Sequence, residues 1–131
     1  MARPQVICKL TSYGRYSSWD RTSKTLPDIL EFTHRIQAIE GVEFGYVLNI
    51  VKGKGKRLSF VIDHPPFLDD RGQLSPPFTG ELYIRDNNWD FFLGDMIWLP
   101  IEDKVGPWRL VTKIEDEIVA DEIFQLSLEE R

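Results

Sequence analysis

The stretch from Phe44 to Pro66 constrains the fold more than any other part of this chain. Apolar residues alternate with other residues on both sides of Gly53-Lys54-Gly55-Lys56, and such a period of two predicts extended strands. Two alternating runs joined by a glycine-rich turn are typical of a β-hairpin. We therefore predict a hairpin whose alternating apolar positions are Phe44, Tyr46, Leu48 and Ile50, then Leu58, Phe60 and Ile62.

Extended segments also precede and follow this hairpin. Gln5–Trp19 is rich in β-branched and aromatic residues, and Gly14 within it predicts a bulge or a close backbone approach. We predict a second strand over Phe32–Ile39 and a final hairpin from Trp108–Ile114 to Ile118–Leu128. The shorter predicted elements are strands at Glu81–Arg85 and Met96–Ile101, a turn at Gly94-Asp95, and Trp89–Leu93, which fits either a strand or a buried connector.

The final hairpin contains one conflict with simple alternation. If Phe124 points inward, strict alternation places Glu122 on the core face as well, and an unpaired buried carboxylate is costly. We therefore expect a bulge or a change of exposure between Val119 and Ile123.

Two connections interrupt the strands. Asp20–Asp28 is polar and contains a proline, which predicts a loop. His64–Gly80 holds four of the eight prolines, and proline cannot donate to a strand ladder. We predict a long irregular connection there, able to cross between sheets. About eight strands with strong turn signals and no amphipathic helix predict one all-β domain over residues 1–131, a sandwich or a barrel.

Several short motifs carry a resemblance to a known family. They are Ile39-Glu40-Gly41-Val42-Glu43-Phe44-Gly45-Tyr46, then His64-Pro65, and Val105-Gly106-Pro107-Trp108 together with Phe124. Over residues 30 to 128 the chain resembles an uncharacterised bacterial family, the domain of unknown function 3859. The resemblance implies an immunoglobulin-like antiparallel β-sandwich of about seven to nine strands, with little or no helix. It implies no catalytic activity and supplies no functional residues.

Charge and hydropathy exclude two classes of partner. The net charge is −5, whereas nucleic-acid binding favours a basic surface, so we predict no nucleic-acid partner. The dense basic cluster at residues 52–57 is interpreted as a solvated turn that protects a strand edge, in preference to a phosphate-gripping loop. No apolar run approaches the roughly 20 residues of a membrane span, so we predict no membrane partner.

Cysteine content indicates the compartment. Cys8 is the single cysteine, so an internal disulfide framework is excluded, and its strand context indicates a buried structural thiol. No long apolar segment follows Met1–Pro4, which argues against a secretory signal. Both observations favour the cytoplasm.

Catalytic and metal-binding groups are sparse. The two histidines are His34 and His64, and neither forms a recognisable nucleophile motif with Cys8. The carboxylates and imidazole of Asp63, His64, Asp69 and Asp70 could suit a divalent cation, but we interpret them as a solvated loop. We predict no catalytic residue, no metal ligand and no cofactor.

The tryptophans offer the best candidates for binding. We place Trp98 and Trp108 inside the protein, since the core of a sandwich accommodates large rings. Trp19 and Trp89 lie among polar residues, with Asn88 beside Trp89. We predict that Trp19, Asn88 and Trp89 form an exposed binding or dimer contact.

These observations favour a non-enzymatic binding module that acts through an unknown protein partner or through self-association. The first alternative is a carbohydrate-binding module, which requires coplanar exposed aromatic rings flanked by Asn or Asp. The second alternative is a small metal-dependent enzyme.

Overall fold

The computed structural model describes residues 5–20, 22 and 25–128, so the Met1–Pro4 segment lies outside it, as does part of the predicted Asp20–Asp28 loop. Within these residues the chain forms nine strands and one short 3-10 helix, Glu102–Lys104. In the same residues no helix has the length and apolar character needed to cross a membrane. The strands are β1 Ile7–Tyr16, β2 Ile29–Glu31, β3 Arg35–Gln37, β4 Glu43–Val51, β5 Arg57–Asp63, β6 Phe78–Tyr83, β7 Asn88–Met96, β8 Gly106–Ile114 and β9 Glu117–Ser127.

The strands form two sheets that pack face to face, which confirms the predicted all-β sandwich. Sheet A has the order β2-β1-β4-β7, and sheet B has the order β3-β9-β8-β5-β6. The inner faces of both sheets form a common apolar core. Tyr46 spans this core, because its hydroxyl on β4 lies 2.7 Å from Thr112 Oγ1 on β8. Burial raises the pKa of Tyr46 well above its ordinary value.

The predicted hairpin between Phe44 and Pro66 is wrong, although both of its strands exist. β4 pairs with β1 and β7, while β5 pairs with β6 and β8, so residues 52–56 cross from sheet A to sheet B. A hairpin and a crossing between facing sheets produce the same alternation, because in both arrangements every second side chain of β4 and β5 faces the apolar core. The basic cluster therefore lies at an inter-sheet turn and not at a hairpin tip. Its backbone is tied to the next connection, with Gly55 N donating to Ile84 O at 2.7 Å.

The predicted strand over Phe32–Ile39 is confirmed only over β3, Arg35–Gln37. The chain leaves sheet A after β2, crosses at residues 32–34, and enters sheet B as β3, which runs parallel to β9. Two backbone bonds hold β3 in place, since Gln125 N donates to His34 O and Ala38 N donates to Ser127 O, both at 2.7 Å. A single run of sequence thus supplies an edge strand to each sheet.

The segments around β6 and β7 refine several predictions. The connection after β5 is irregular as predicted, but it returns to the same sheet, because β5 and β6 are antiparallel neighbours. β7 covers the undecided Trp89–Leu93 and includes Gly94-Asp95, so the predicted turn there is wrong. The predicted strand Met96–Ile101 is wrong as well. β7 ends at Met96, and the chain then runs irregularly to the 3-10 helix.

The final hairpin is confirmed. β8 and β9 pair antiparallel, and the register shifts where Thr112 is opposite Ala120 but Lys113 is opposite Ile118. Val119 is therefore an extra residue, at one end of the interval in which a bulge was expected. Glu122 keeps the same face as Phe124 and is ion-paired with His34, so its carboxylate is not unpaired.

Three glycines lie side by side across sheet A. Gly14 is opposite Gly45, and Gly45 is opposite Gly94. Gly14 has a φ of 132°, and a Cβ there would lie 2.0 Å from Glu31 O. The predicted close backbone approach at Gly14 is confirmed, because the end of β2 passes directly against it.

Candidate functional site

Trp19 lies on the outer face of sheet A, where it covers a small apolar cluster. Its indole packs edge-on against Phe92 at 5.0 Å, and Nε1 donates to Thr25 O at 2.7 Å. The cluster also contains Tyr16 and Val47. Burial raises the pKa of Tyr16 to about 12. Trp19 is half-buried and holds the loop after β1 against the sheet.

Asn88 and Trp89 point to opposite faces of β7. Trp89 packs on the core side, 5.4 Å from the ring of Phe91. Asn88 lies on the outer face, where Asn49 Nδ2 donates to its Oδ1 and to Asp90 Oδ1, both at 2.9 Å. Trp19 and Trp89 therefore do not share one surface, and the coplanar platform required by the carbohydrate alternative is not formed by these two rings. A binding role for Trp19, Asn88 and Trp89 stays a prediction.

The other two tryptophans belong to one aromatic group at the end of the sandwich. We call it the aromatic–lysine cluster, and its members are His64, Phe67, Phe78, Trp98, Lys104 and Trp108. Trp108 is 1% exposed, which confirms its predicted interior position, whereas Trp98 is half-buried. The Nε1 of Trp108 donates to Lys104 O at 2.8 Å and fixes the 3-10 helix against the core.

Lys104 carries a buried charge into this cluster. The residue is 2% exposed, and its Nζ lies 4.7 Å from the ring centre of Phe67 and 4.6 Å from that of Trp98. The same ammonium donates to Pro100 O at 3.0 Å and to Asp103 Oδ1. A carboxylate, a carbonyl and two ring faces thus compensate the loss of water around the ammonium.

His64 is part of the same packing and does not resemble a metal ligand. Its ring stacks on Phe67 at 4.2 Å, and Nδ1 and Nε2 lie 2.8 and 2.9 Å from the carbonyl oxygens of Pro65 and Pro76. The carboxylate of Asp69 accepts the backbone N–H groups of Arg71 and Gln73, as in a turn. Among the described residues no three His, Cys, Asp or Glu side chains form a metal-binding group.

The side of the sandwich that carries β2 and β3 is less complete. β3 covers only the last part of β9, from Gln125 to Ser127. Residues 117–123 of β9 have no strand neighbour on the side away from β8 within the described part of the chain. We call these residues the open edge. Such an edge presents unpaired N–H and C=O groups to another chain.

Residues 32–34 cross between the sheets at the end of the open edge and bring polar and aromatic groups together. The ring of His34 stacks on Tyr13 at 4.5 Å, and its Nε2 lies 2.8 Å from Glu122 Oε1. Phe32 meets Tyr13 edge-on at 5.4 Å and is 57% exposed. Sequence reasoning missed this group because its members are far apart in the chain and the contacts depend on the crossing.

A cleft of about 630 Å³ lies on the other side of this crossing, between the ends of β1 and β2 and the strand β3. We call it the crossing cleft. Its charged groups are two guanidinium groups and one carboxylate, and its floor is aliphatic. The lining residues are Arg15, Glu31, Thr33, Arg35, Ile36, Gln37, Ile39, Val42, Gln125 and Ser127. No local motif marks these residues, so the sequence did not predict the cleft.

Two sheets pack face to face, and the consecutive strands β2 and β3 form an edge of sheet A and an edge of sheet B. This arrangement is an immunoglobulin-like β-sandwich. The crystal structure of an immunoglobulin-like protein from Pseudomonas aeruginosa matches it with a TM-score of 0.76 at 20% identity, covering 97% of this chain and 100% of that one. The sequence profile of the family described as Domain of unknown function (DUF3859) matches residues 5–126. The chain belongs to this family, as the resemblance predicted. No curated protein matches the chain.

Proposed function

We propose that the protein is a non-enzymatic binding module whose partner is another polypeptide chain. The partner adds an extended segment to the open edge of β9. The observation that carries this proposal is the seven-residue stretch of β9, residues 117–123, which pairs with β8 on one side and has no strand neighbour among the described residues on the other. Addition of a strand to a sheet edge is a common mode of peptide recognition, in which backbone hydrogen bonds supply affinity.

The direction of the backbone groups can be read from β3. Gln125 N–H and Ser127 C=O both bond to the β3 side, and residues two apart along a strand direct their backbone groups to the same side. Asp121 and Ile123 therefore direct their N–H and C=O groups to the open side. These are the groups that an added segment would bond.

The side chains of the open edge indicate the character of the partner. Ile118 and Ile123 are each 54% exposed, and Glu117 is an exposed acid. The carboxylate of Asp121 is already paired with Arg109. Aliphatic side chains on the outer face favour an apolar contact, and the carboxylate of Glu117 favours a basic residue on the segment. The other strand edges of the described structure, formed by β2, β3, β6, β7 and residues 7–14 of β1, lack such a pair of exposed isoleucines. A basic and aliphatic extended segment is the best match.

The surroundings of both histidines support a binding role over catalysis. His64 is half-buried among aromatic rings and backbone carbonyls, and His34 is stacked on Tyr13 and paired with Glu122. Neither imidazole contacts Cys8 in the described structure, and burial raises the pKa of the Cys8 thiol, which disfavours the thiolate.

The experiment uses a capped nine-residue peptide of alternating Lys and Val, with ¹⁵N NMR of the full-length protein. We expect shift changes and slowed amide exchange at Asp121 and Ile123. The same peptide with N-methylated backbone amides has no N–H to donate on either side and is expected to leave both amides unchanged.

Two variants of one residue separate backbone addition from side-chain contact. Ile123→Pro removes an N–H that faces the open side, so it should leave the β8 ladder intact and abolish peptide binding. Ile123→Thr keeps this N–H and should retain binding. Equal binding by both variants would contradict the proposal. Light scattering of the peptide-free protein tests the self-association form, since a dimer that I123P disperses identifies the segment as a second copy.

A further inference from the structure

The crossing cleft contains an arginine, Arg35, that forms no ion pair with the residues that the structure describes. Arg15 faces Glu31, with Nε and Oε1 3.6 Å apart. Two guanidinium groups against one carboxylate leave one net positive charge in the cleft, although the whole chain carries −5.

The floor of the cleft is aliphatic. Ile36 is 1% exposed and belongs to the core, Val42 is half-buried against it, and Ile39 is 48% exposed. The volume of about 630 Å³ lies within the range of small-ligand sites. Apolar walls with a few convergent polar groups are the usual composition of such sites. A ligand here can bury an apolar stem against Ile39 and Val42 and direct a charged head to Arg35.

The charge of the cleft selects the head group. A guanidinium binds a carboxylate through two parallel N–H···O bonds, and one net positive charge matches a monoanion. A cleft with low-dielectric walls also strengthens the attraction relative to an exposed arginine. We propose that the crossing cleft is a binding site for a carboxylate on an aliphatic stem, with Arg35 as the group that holds the carboxylate. The carboxylate comes from a small organic acid or from the C-terminus of a peptide.

This site shares no residue with the open edge, because its lining residues on β9 are Gln125 and Ser127 and the open edge ends at residue 123. Its test therefore does not depend on strand addition, and the variant I123P should bind the carboxylate as the wild type does. Failure of the peptide experiment above would leave this proposal intact, and the reverse also holds.

The test is a titration of the full-length protein with hexanoate, followed by the ¹⁵N amide shifts of Arg35, Gln37 and Gln125. Hexanamide has the same stem without the charge, and it should bind at least about tenfold more weakly. Acetyl-Val-Ile-Leu with a free carboxylate, and the same peptide as its amide, form the second arm. Binding of hexanoate alone identifies a small acid as the ligand source, whereas a preference for the free-acid peptide identifies a chain terminus.

Three variants test the role assigned to each charge. Arg35→Gln should weaken hexanoate binding by at least about tenfold. Glu31→Gln removes the competing carboxylate and frees Arg15, so it should tighten binding by about threefold or more. A misfolded protein cannot produce this gain. Arg85→Gln removes an exposed arginine outside the cleft and should leave the affinity unchanged.

Several results would overturn the proposal. Equal affinity of R35Q and the wild type would show that Arg35 does not hold the anion. Equal binding of hexanoate and hexanamide would show that the carboxylate does not contribute to affinity. Equal binding of inorganic phosphate and hexanoate would show general attraction of anions without a role for the stem. Absence of any shift change with both free acids would exclude the site.

Discussion

The two histidines of this chain have similar stacking geometries and opposite surroundings. His64 stacks on Phe67 at 4.2 Å with an angle of 22°, and His34 stacks on Tyr13 at 4.5 Å with an angle of 20°. The ring of His64 is half-buried against the aromatic–lysine cluster, and both of its nitrogens face backbone carbonyls. The side chain of His34 is 44% exposed, and its Nε2 faces the carboxylate of Glu122.

The two histidines mark two different regions of the sandwich. We call the end that carries the aromatic–lysine cluster the closed end, and the side that carries β2, β3 and the open edge the open side. At the closed end, rings and carbonyls surround the polar groups, so His64 and Lys104 stabilise the fold. On the open side, the stacked ring of His34 and its contact to Glu122 are exposed to solvent, and they lie near the open edge and the crossing cleft. Ring stacking alone therefore does not distinguish a structural histidine from one that is available to a partner.

The largest expected effect concerns the buried ammonium of the closed end. Lys104→Ala leaves the Pro100 carbonyl and the Asp103 carboxylate without their partner and creates a cavity between Phe67 and Trp98. We expect a loss of about 3 kcal/mol in the free energy of unfolding, measured by urea denaturation. Lys104→Met keeps the volume of the stem and should lose less than Lys104→Ala. A loss below about 1 kcal/mol in K104A would mean that the closed end is not held by this charge.

A matched pair of variants tests the comparison directly. His64→Ala removes a stacked ring and its contacts to two backbone carbonyls, so we expect a loss of about 2 kcal/mol in the free energy of unfolding. His34→Ala removes an exposed contact to Glu122 and a solvated stack on Tyr13, and it should cost less than about 1 kcal/mol. Thermal or urea unfolding of both variants gives the values. If the two losses are equal, the distinction between the closed end and the open side fails.

Strand pairing was predictable only where two strands that follow each other in the sequence also pair with each other. β8 and β9 are joined by a short turn, so alternation and turn signals predicted the hairpin. β4 and β5 show the same pattern, and there the prediction failed. Alternation reports which side chains face a core, and it does not report whether two successive strands pair with each other or face each other across that core.

The candidate sites were less predictable than the strands. Arg15, Arg35 and Ser127 line one cleft only because β2 and β3 leave one sheet and enter the other. His34 and Glu122 are 88 positions apart in the sequence and meet at the same crossing. Trp19 and Trp89 looked exposed because their sequence neighbours are polar. Their rings nevertheless pack on opposite faces of sheet A. Side chains alternate along β7, and Trp89 is on the face that points to the core.

The smallest expected effect concerns Asp121 on the open edge. The guanidinium of Arg109, whose Nε donates to Asp121 Oδ1 at 2.8 Å, holds the pKa of this carboxyl below its ordinary value of 3.8. The folded protein therefore binds this proton less readily than the unfolded chain does. The resulting stabilisation is present above the ordinary pKa and is lost as the pH falls through the lower folded value.

Asp121→Asn removes this pH-dependent contribution. We expect the wild type to lose more stability than D121N when urea unfolding is compared at about pH 6 and about pH 3. The difference should be small, because both groups are solvated and salt screens them. Asp70→Asn makes the same change in net charge on an exposed loop and serves as the control. An equal change in the pH dependence of D70N would assign the effect to net charge. The Arg109–Asp121 ion pair would then contribute no stability of its own.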